Sequence, residues 1–211
     1  RMDDQKKWML IADKLRKSEP AEWDDLPDLG LYMDQVTGYL NRQLSAFMPD
    51  GGEAPLTSSM INNYVKSGHI TRPTQKKYSR EQLAALYMLC SLKKNLSIND
   101  AAALIYFMTE QGGSRGAYND FIALQQNTVH EAFNRLSSLP PEAEEQDLTA
   151  LALDLALRAC AERLAAEVLI THLIQKDDAR IARAHAAAEE KRAAEEARLR
   201  AEKEAARAEK K

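Results

Sequence analysis

Four side chains between residues 59 and 66 have the types and the spacing to read an ordered polar surface: Ser59, Asn62, Asn63 and Lys66, at i, i+3, i+4 and i+7. On a helix, that spacing gathers them on one face. An Asn carboxamide holds a donor and an acceptor side by side, which matches N6 and N7 of adenine on the major-groove edge of a duplex. Ser donates or accepts according to what it meets, and a Lys near the helix end is placed for phosphate. Ile61, Tyr64 and Val65 form the opposite stripe, which can dock on the rest of the chain. Arg72, Lys76 and Lys77 follow at once, in a segment from Ile70 to Tyr78 that alternates weakly around Pro73 and Thr74, as two short strands and a turn would. Cations on such a hairpin would lie along a phosphate backbone and displace its counterions.

The charge distribution agrees with that chemistry once it is resolved along the chain. The 211 residues carry a net charge of −3. Between positions 56 and 100, however, Lys66, Arg72, Lys76, Lys77, Arg80, Lys93 and Lys94 face only Glu81 and Asp100. Binding to a polyanion depends on such a local patch and not on the sum.

Other chemistries find little support. His69, His130, His172 and His185 are scattered, and none has a second His or Cys at metal-ligand spacing, so neither a metal nor a cofactor is expected. Gly112, Gly113 and Gly116 follow a helical pattern and lack the Lys and Ser or Thr of a phosphate loop; a flexible linker is expected there. The adjacent acids Asp24 with Asp25 and Glu144 with Glu145 point different ways, unlike a convergent acid–base pair, and read as solvated. No catalytic set emerges, and the chain is not expected to be an enzyme. Cys90 and Cys160 both sit in apolar helical patterns and read as reduced core residues of a cytoplasmic protein. No apolar run approaches the roughly 18 residues of a membrane span, and the first residues lack the order of a secretory signal.

These side chains need elements to position them. Trp8, Ile11, Ala12 and Leu15 predict a short helix over 3–17, ended by Pro20, and Val36, Tyr39, Leu40, Leu44 and Phe47 predict a second from about 31 to 47. MPDGGEAP, residues 48–55, is turn chemistry. Thr57 is a suitable N-cap for a third helix over 57–67, which ends before Gly68. Ser79 with Gln82 forms a capping box ahead of a fourth helix to about Lys94, and Ser97 with Asp100 opens a fifth that stops at Gly112 and Gly113. After the loop 111–116, a helix over 117–137 is expected. From Glu142 onward neither Gly nor Pro appears, so one helix of roughly 70 residues is expected, about 100 Å at 1.5 Å per residue. Its part 147–175 is rich in Leu, Ala and Val on most sides and calls for cover by the body or by a second subunit. Residues 176–211 are rich in Ala, Glu, Lys and Arg, with opposite charges at helical spacing, such as Glu196 with Arg200, and read as a solvated helical tail.

The order of these motifs resembles a known family. MINNYVKSGHI (60–70), a basic hairpin ending KKYS (76–79) and LSINDAAALI (96–105) resemble the DNA-binding domain of MerR-family regulators. That family's recognition helix carries two aromatic residues ahead of a Gly. Tyr64 and Gly68 match the second aromatic and the Gly, while Asn63 replaces the first aromatic and Asn62 stands where Arg is usual. The runs LPDLGLYMDQVTGYL (26–40), LTSSMINNYVKSG (56–68) and KKYSREQLAALYMLC (76–90) also look like a bacterial family known mainly as a domain of unknown function and regarded as MerR-like; this resemblance spans roughly residues 20–175. It implies dimerisation through helices after the wing and binding to a two-fold related operator.

The expected architecture is therefore all-α with a small β-hairpin wing. An N-terminal helix and loop occupy 1–29 and a MerR-like winged helix-turn-helix 30–110. A helical dimerisation or sensor region spans 117–175, and the charged tail follows over 176–211. The expected function is sequence-specific binding of double-stranded DNA by a homodimer joined through helix 147–175, with Ser59, Asn62, Asn63, Lys66, Arg72, Lys76 and Lys77 as the contact residues. Two rivals stand beside it. One is a helical protein-interaction adaptor whose helix-turn-helix no longer binds DNA; the other is a sensor in which an unidentified small-molecule effector enters between helices 117–137 and 147–175.

Overall fold

The computed structural model describes residues 2–45, 47, 56–140 and 142–208, and side chains within 9–179 of these. Among the described residues the chain is mostly helical and contains no sheet. The expected turn at 48–55 and the charges of the tail beyond residue 179 lie outside what is described.

Six helices follow in order: α1 (Met2–Arg16), α2 (Met33–Ser45), α3 (Ser58–Lys66), α4 (Arg80–Leu92), α5 (Ile98–Ser137) and α6 (Glu145–Ala208), with a 3-10 turn at Trp23–Asp25 between the first two. By contact the chain divides into two compact units, residues 1–167 and 168–211. In the first unit, α4 is the hub. Leu83, Leu86, Tyr87, Met88, Leu89 and Cys90 are all buried, so this helix is covered almost all round, as its apolar sequence demands. Helix α2 packs on it through Val36 and Leu40, α5 through Ile105, Tyr118 and Ile122, and α3 docks on α2 with Ile61 fully buried. The rings of Trp23, Tyr118, Tyr87 and Phe121 meet edge to face with centroids 6.0–6.2 Å apart, which ties the 3-10 turn to α4 and α5.

The local stop and start signals operate as their chemistry requires. Thr57 Oγ1 accepts from the Met60 amide at 3.3 Å at the head of α3, and Ser79 with Gln82 closes a full capping box on α4. Ser97 Oγ accepts from the Asp100 amide at 3.1 Å and opens α5. Gly68 sits at φ +80 just past α3, the left-handed position that a residue without Cβ takes most easily.

Three expectations need correction. First, residues 70–78 do not form a two-stranded hairpin. They hold single bridges, Thr74 to Lys77 and Tyr78 to Leu31. Pro73 has no N–H to extend a ladder, and the carboxamide of Gln82 occupies the Thr71 carbonyl at 2.7 Å, so only the tight turn remains. Second, no linker separates two helices at 111–116. Only Gly113 leaves helical geometry, at φ 66 and ψ 173, and α5 runs on as a kinked helix. Third, Cys160 is exposed, whereas Cys90 is buried as expected. The apolar part of α6, for which the sequence calls for cover by the body or by a second subunit, is covered only in part within the single chain. Leu148, Leu151 and Leu155 are half-buried, but Leu153, Leu157 and Leu164 are each more than half exposed.

In the second unit the helix continues, with Val168 and Leu169 exposed. No helix among the described residues is long and apolar enough to cross a membrane.

Candidate nucleic-acid interface

Helix α3 has only nine residues, so its orientation is set by what it leans on and not by its own helical stability. Ile61 anchors it at 0% exposure, with Met60, Tyr64 and Val65 partly buried beside it. The opposite stripe emerges entirely: Ser59, Asn62, Asn63 and Lys66 are all exposed. The spacing thus brings these four together on one open face, as the sequence pattern predicts. The Asn63 main-chain carbonyl accepts from both the amide and the hydroxyl of Ser67 at the helix end. Its carboxamide has no hydrogen bond to another described residue, and neither has that of Asn62.

Arg72, Lys76 and Lys77 are exposed too, on the segment that follows α3. Gln75 and Lys76 have φ of 51 and 64, so residues 74–77 form a two-residue turn with both central residues left-handed, closed by the Lys77 amide donating to the Thr74 carbonyl at 2.9 Å. Reciprocal hydrogen bonds between Leu31 and Tyr78, at 2.9 and 3.0 Å, hold this turn against the chain two residues before α2. A cavity of about 360 Å³ opens beside it, lined by Thr71, Arg72, Thr74, Lys77, Ser79 and Gln82 among others. The Lys77 ammonium stands 5.3 Å from the ring centroid of exposed Tyr32.

The basic patch is smaller than its composition suggests. Arg80 is engaged by other groups, its guanidinium 6.0 Å from the Trp23 ring centroid and 3.8–4.0 Å from Asp24 and Asp28. Asp24 also accepts from Arg115, just after the α5 kink, at 2.6 Å. Of the two acids at 24 and 25 that read as simply solvated, Asp24 therefore serves as a tether. Lys93 donates to the Tyr64 hydroxyl at 3.1 Å. The exposed cations on α3 and the segment that follows it are thus Lys66, Arg72, Lys76 and Lys77, and Lys94 is exposed just past the end of α4.

Three polar contacts around α3 escaped the sequence reading. The Asn41 carboxamide both donates to and accepts from the main chain of Leu56, at 2.9 and 3.0 Å, directly ahead of the Thr57 cap. Gln82 holds Thr71, and Lys93 holds Tyr64. One signal was available: Asn is a poor choice in the interior of a helix unless its side chain has a specific partner. His130 has a different partner, its ring Nε2 donating to the Arg16 carbonyl at the end of α1 at 2.8 Å.

Fold and surface together define a helical protein whose short third helix offers an open polar face beside a cationic turn. Residues 21–121, from the 3-10 turn to just past the α5 kink, match the family described as a domain of unknown function (DUF1836). No curated protein and no solved structure matches the chain.

Proposed function

We propose that this protein is a transcriptional regulator that binds double-stranded DNA sequence-specifically, with a MerR-like winged helix-turn-helix in which α3 enters the major groove. The observation that carries the reading is the α3 face itself: Ser59, Asn62, Asn63 and Lys66 are all open to solvent while Ile61 beneath them is fully buried. A helix meant only to complete a core has no need of two adjacent carboxamides without partners among the described residues. Asn62 and Asn63 supply adenine-edge contacts, Ser59 an adaptable hydroxyl, and Lys66 a phosphate contact at the helix end. Arg72, Lys76 and Lys77, on a wing reduced to one tight turn, add affinity for the flanking backbone without sequence information. The regulator acts as a homodimer through helix 147–175, whose exposed leucines call for a partner.

Selection of bound fragments from random DNA by the purified chain tests the reading and yields the site. Against that site, Asn62→Ala with Asn63→Ala is expected to lose about 1–3 kcal/mol for each good bidentate pair, with binding to unrelated duplex nearly unchanged. Equal loss on every sequence would contradict base reading.

The exposed Leu153, Leu157 and Leu164 also favour a second reading, a helical adaptor that docks a partner helix and has no use for DNA. Added salt separates the two, since contacts to phosphate weaken steeply with ionic strength and apolar helix contacts do not.

A further inference from the structure

We infer that Asn41 and Lys93 are positioning residues that grip the two ends of α3 and fix the pitch at which its open face is presented; the inference rests on the DNA-reading proposal. The need for a grip comes from size. A nine-residue helix with one fully buried side chain is held by little apolar area, and rotation about its axis by a few tens of degrees would carry Asn62 and Asn63 away from any base edge. Ile61, with Met60, Tyr64 and Val65 partly buried beside it, resists lift-off, but so short an apolar stripe defines rotation poorly.

The two grips supply direction. At the entry, Asn41 of α2 clasps the peptide groups of Leu56, donating from Nδ2 to its carbonyl at 2.9 Å and accepting at Oδ1 from its amide at 3.0 Å. Leu56 is 1% exposed, so both polar groups depend on this one side chain in place of water. A carboxamide is the only side-chain head that offers a donor and an acceptor at that separation; a carboxylate only accepts. At the exit, Lys93, the residue that ends α4, donates from Nζ to the Tyr64 hydroxyl at 3.1 Å and stands 5.7 Å from that ring's centroid. Both grips come from helices rooted in the core, α2 by Val36 and Leu40 and α4 by Leu86 and Leu89, so α3 inherits their rigidity. Fixing a reading group beforehand raises selectivity more than general affinity, because only the correctly pitched contacts gain.

The test uses the full chain, its selected duplex and an unrelated duplex. Asn41→Ala and Lys93→Met are each expected to reduce discrimination between the two duplexes by about tenfold, the size of one hydrogen bond to a demanding partner. Amide exchange along α3 of the DNA-free protein should accelerate while that of α4 does not. Lys93→Arg, which keeps a donor and a cation over the Tyr64 ring, should restore both. Lys93 lies at a helix end, so its variants fold even if Asn41→Ala does not. Unchanged exchange in α3, or discrimination lost equally in Lys93→Arg and Lys93→Met, overturns the positioning role. If the wild-type chain binds no duplex, the DNA-reading proposal fails, whereas faster exchange in the variants would still show that the grips hold α3.

Discussion

At the scale of single residues, burial decides which groups keep their ordinary chemistry. Cys90 is fully buried in α4, and that burial pushes its thiol up to about 11, with Lys93 and Lys94 pulling weakly the other way. Burial likewise raises the Tyr87 and Tyr118 hydroxyls, which donate to Gln125 Oε1 at 2.9 Å and to the Ala21 carbonyl at 2.8 Å. The thiol is an acid whose folded value lies above its unfolded one, so the native state favours the proton. Its contribution is complete at neutral pH, begins to fall once the unfolded thiol ionises near the ordinary value of 9.0, and is gone when the native thiol ionises near 11. Two units correspond to about 3 kcal/mol. Urea midpoints measured from pH 8 to 11 should therefore decline, and Cys90→Ala, slightly less stable at pH 7, should decline less steeply. An identical slope in the variant would assign the alkaline loss to the tyrosines alone. Cys160, exposed in the single chain, should react with a thiol reagent where the α6 surface is open and be shielded in the proposed dimer, while Cys90 stays protected in both.

At the scale of elements, what a few neighbouring residues decide was legible in the sequence, and what distant segments decide was not. Thr57, Ser79 and Ser97 cap α3, α4 and α5 because each hydroxyl needs only an amide three residues away. The polar face of α3 is readable for the same reason, since helical spacing alone sets which side chains share a side. The kink at Gly113 could pass for a break because the glycines that permit a stop also permit a bend, and the choice falls to distant partners: Asp24 for Arg115 and the aromatic core for Tyr118. The hairpin expected at 70–78 shrank to one turn through a side chain eleven residues away, Gln82. That turn remains testable in its own right. Gln75 and Lys76 adopt φ of 51 and 64, a region disfavoured for residues with a Cβ by about 1–2 kcal/mol each. Asn and Gly are the residues such a turn prefers. Gln75→Asn with Lys76→Gly should raise the melting temperature by several degrees, and Gln75→Asn alone should give part of the gain with every cation kept. A lower melting temperature would mean that these side chains are held by contacts outside the turn. In DNA binding, loss of Lys76 should flatten the salt slope by about one, and Gln75→Asn should leave it unchanged.

At the scale of the whole molecule, the arithmetic of charge links the proposed DNA binding to the proposed self-association. One subunit carries four exposed cations on α3 and the segment that follows it, Lys66, Arg72, Lys76 and Lys77, within a chain whose net charge is −3. If each neutralises one phosphate, a lone subunit gives a logarithmic salt slope of about −4, and two subunits on a two-fold site give about −7. A single set of four supports only weak binding, so the proposed regulator depends on the homodimer for useful affinity as well as for operator symmetry. The surface proposed for that dimer is the α6 stripe Ala150, Leu153, Leu157, Cys160 and Leu164, alternately three and four residues apart and all exposed in the single chain. Leu157→Glu places a charge in the middle of the stripe and touches neither α3 nor the cationic turn in sequence. Sedimentation should find the wild-type chain as a dimer and the variant as a monomer, with unchanged helical content because Leu157 packs little within its own subunit. The variant should then bind the selected duplex far more weakly, and with a salt slope near half that of the wild type. A monomeric variant that binds as tightly and as steeply as the wild type would separate the two properties. The α6 stripe would then belong to a different partner, and four cations would have to suffice for the α3 face.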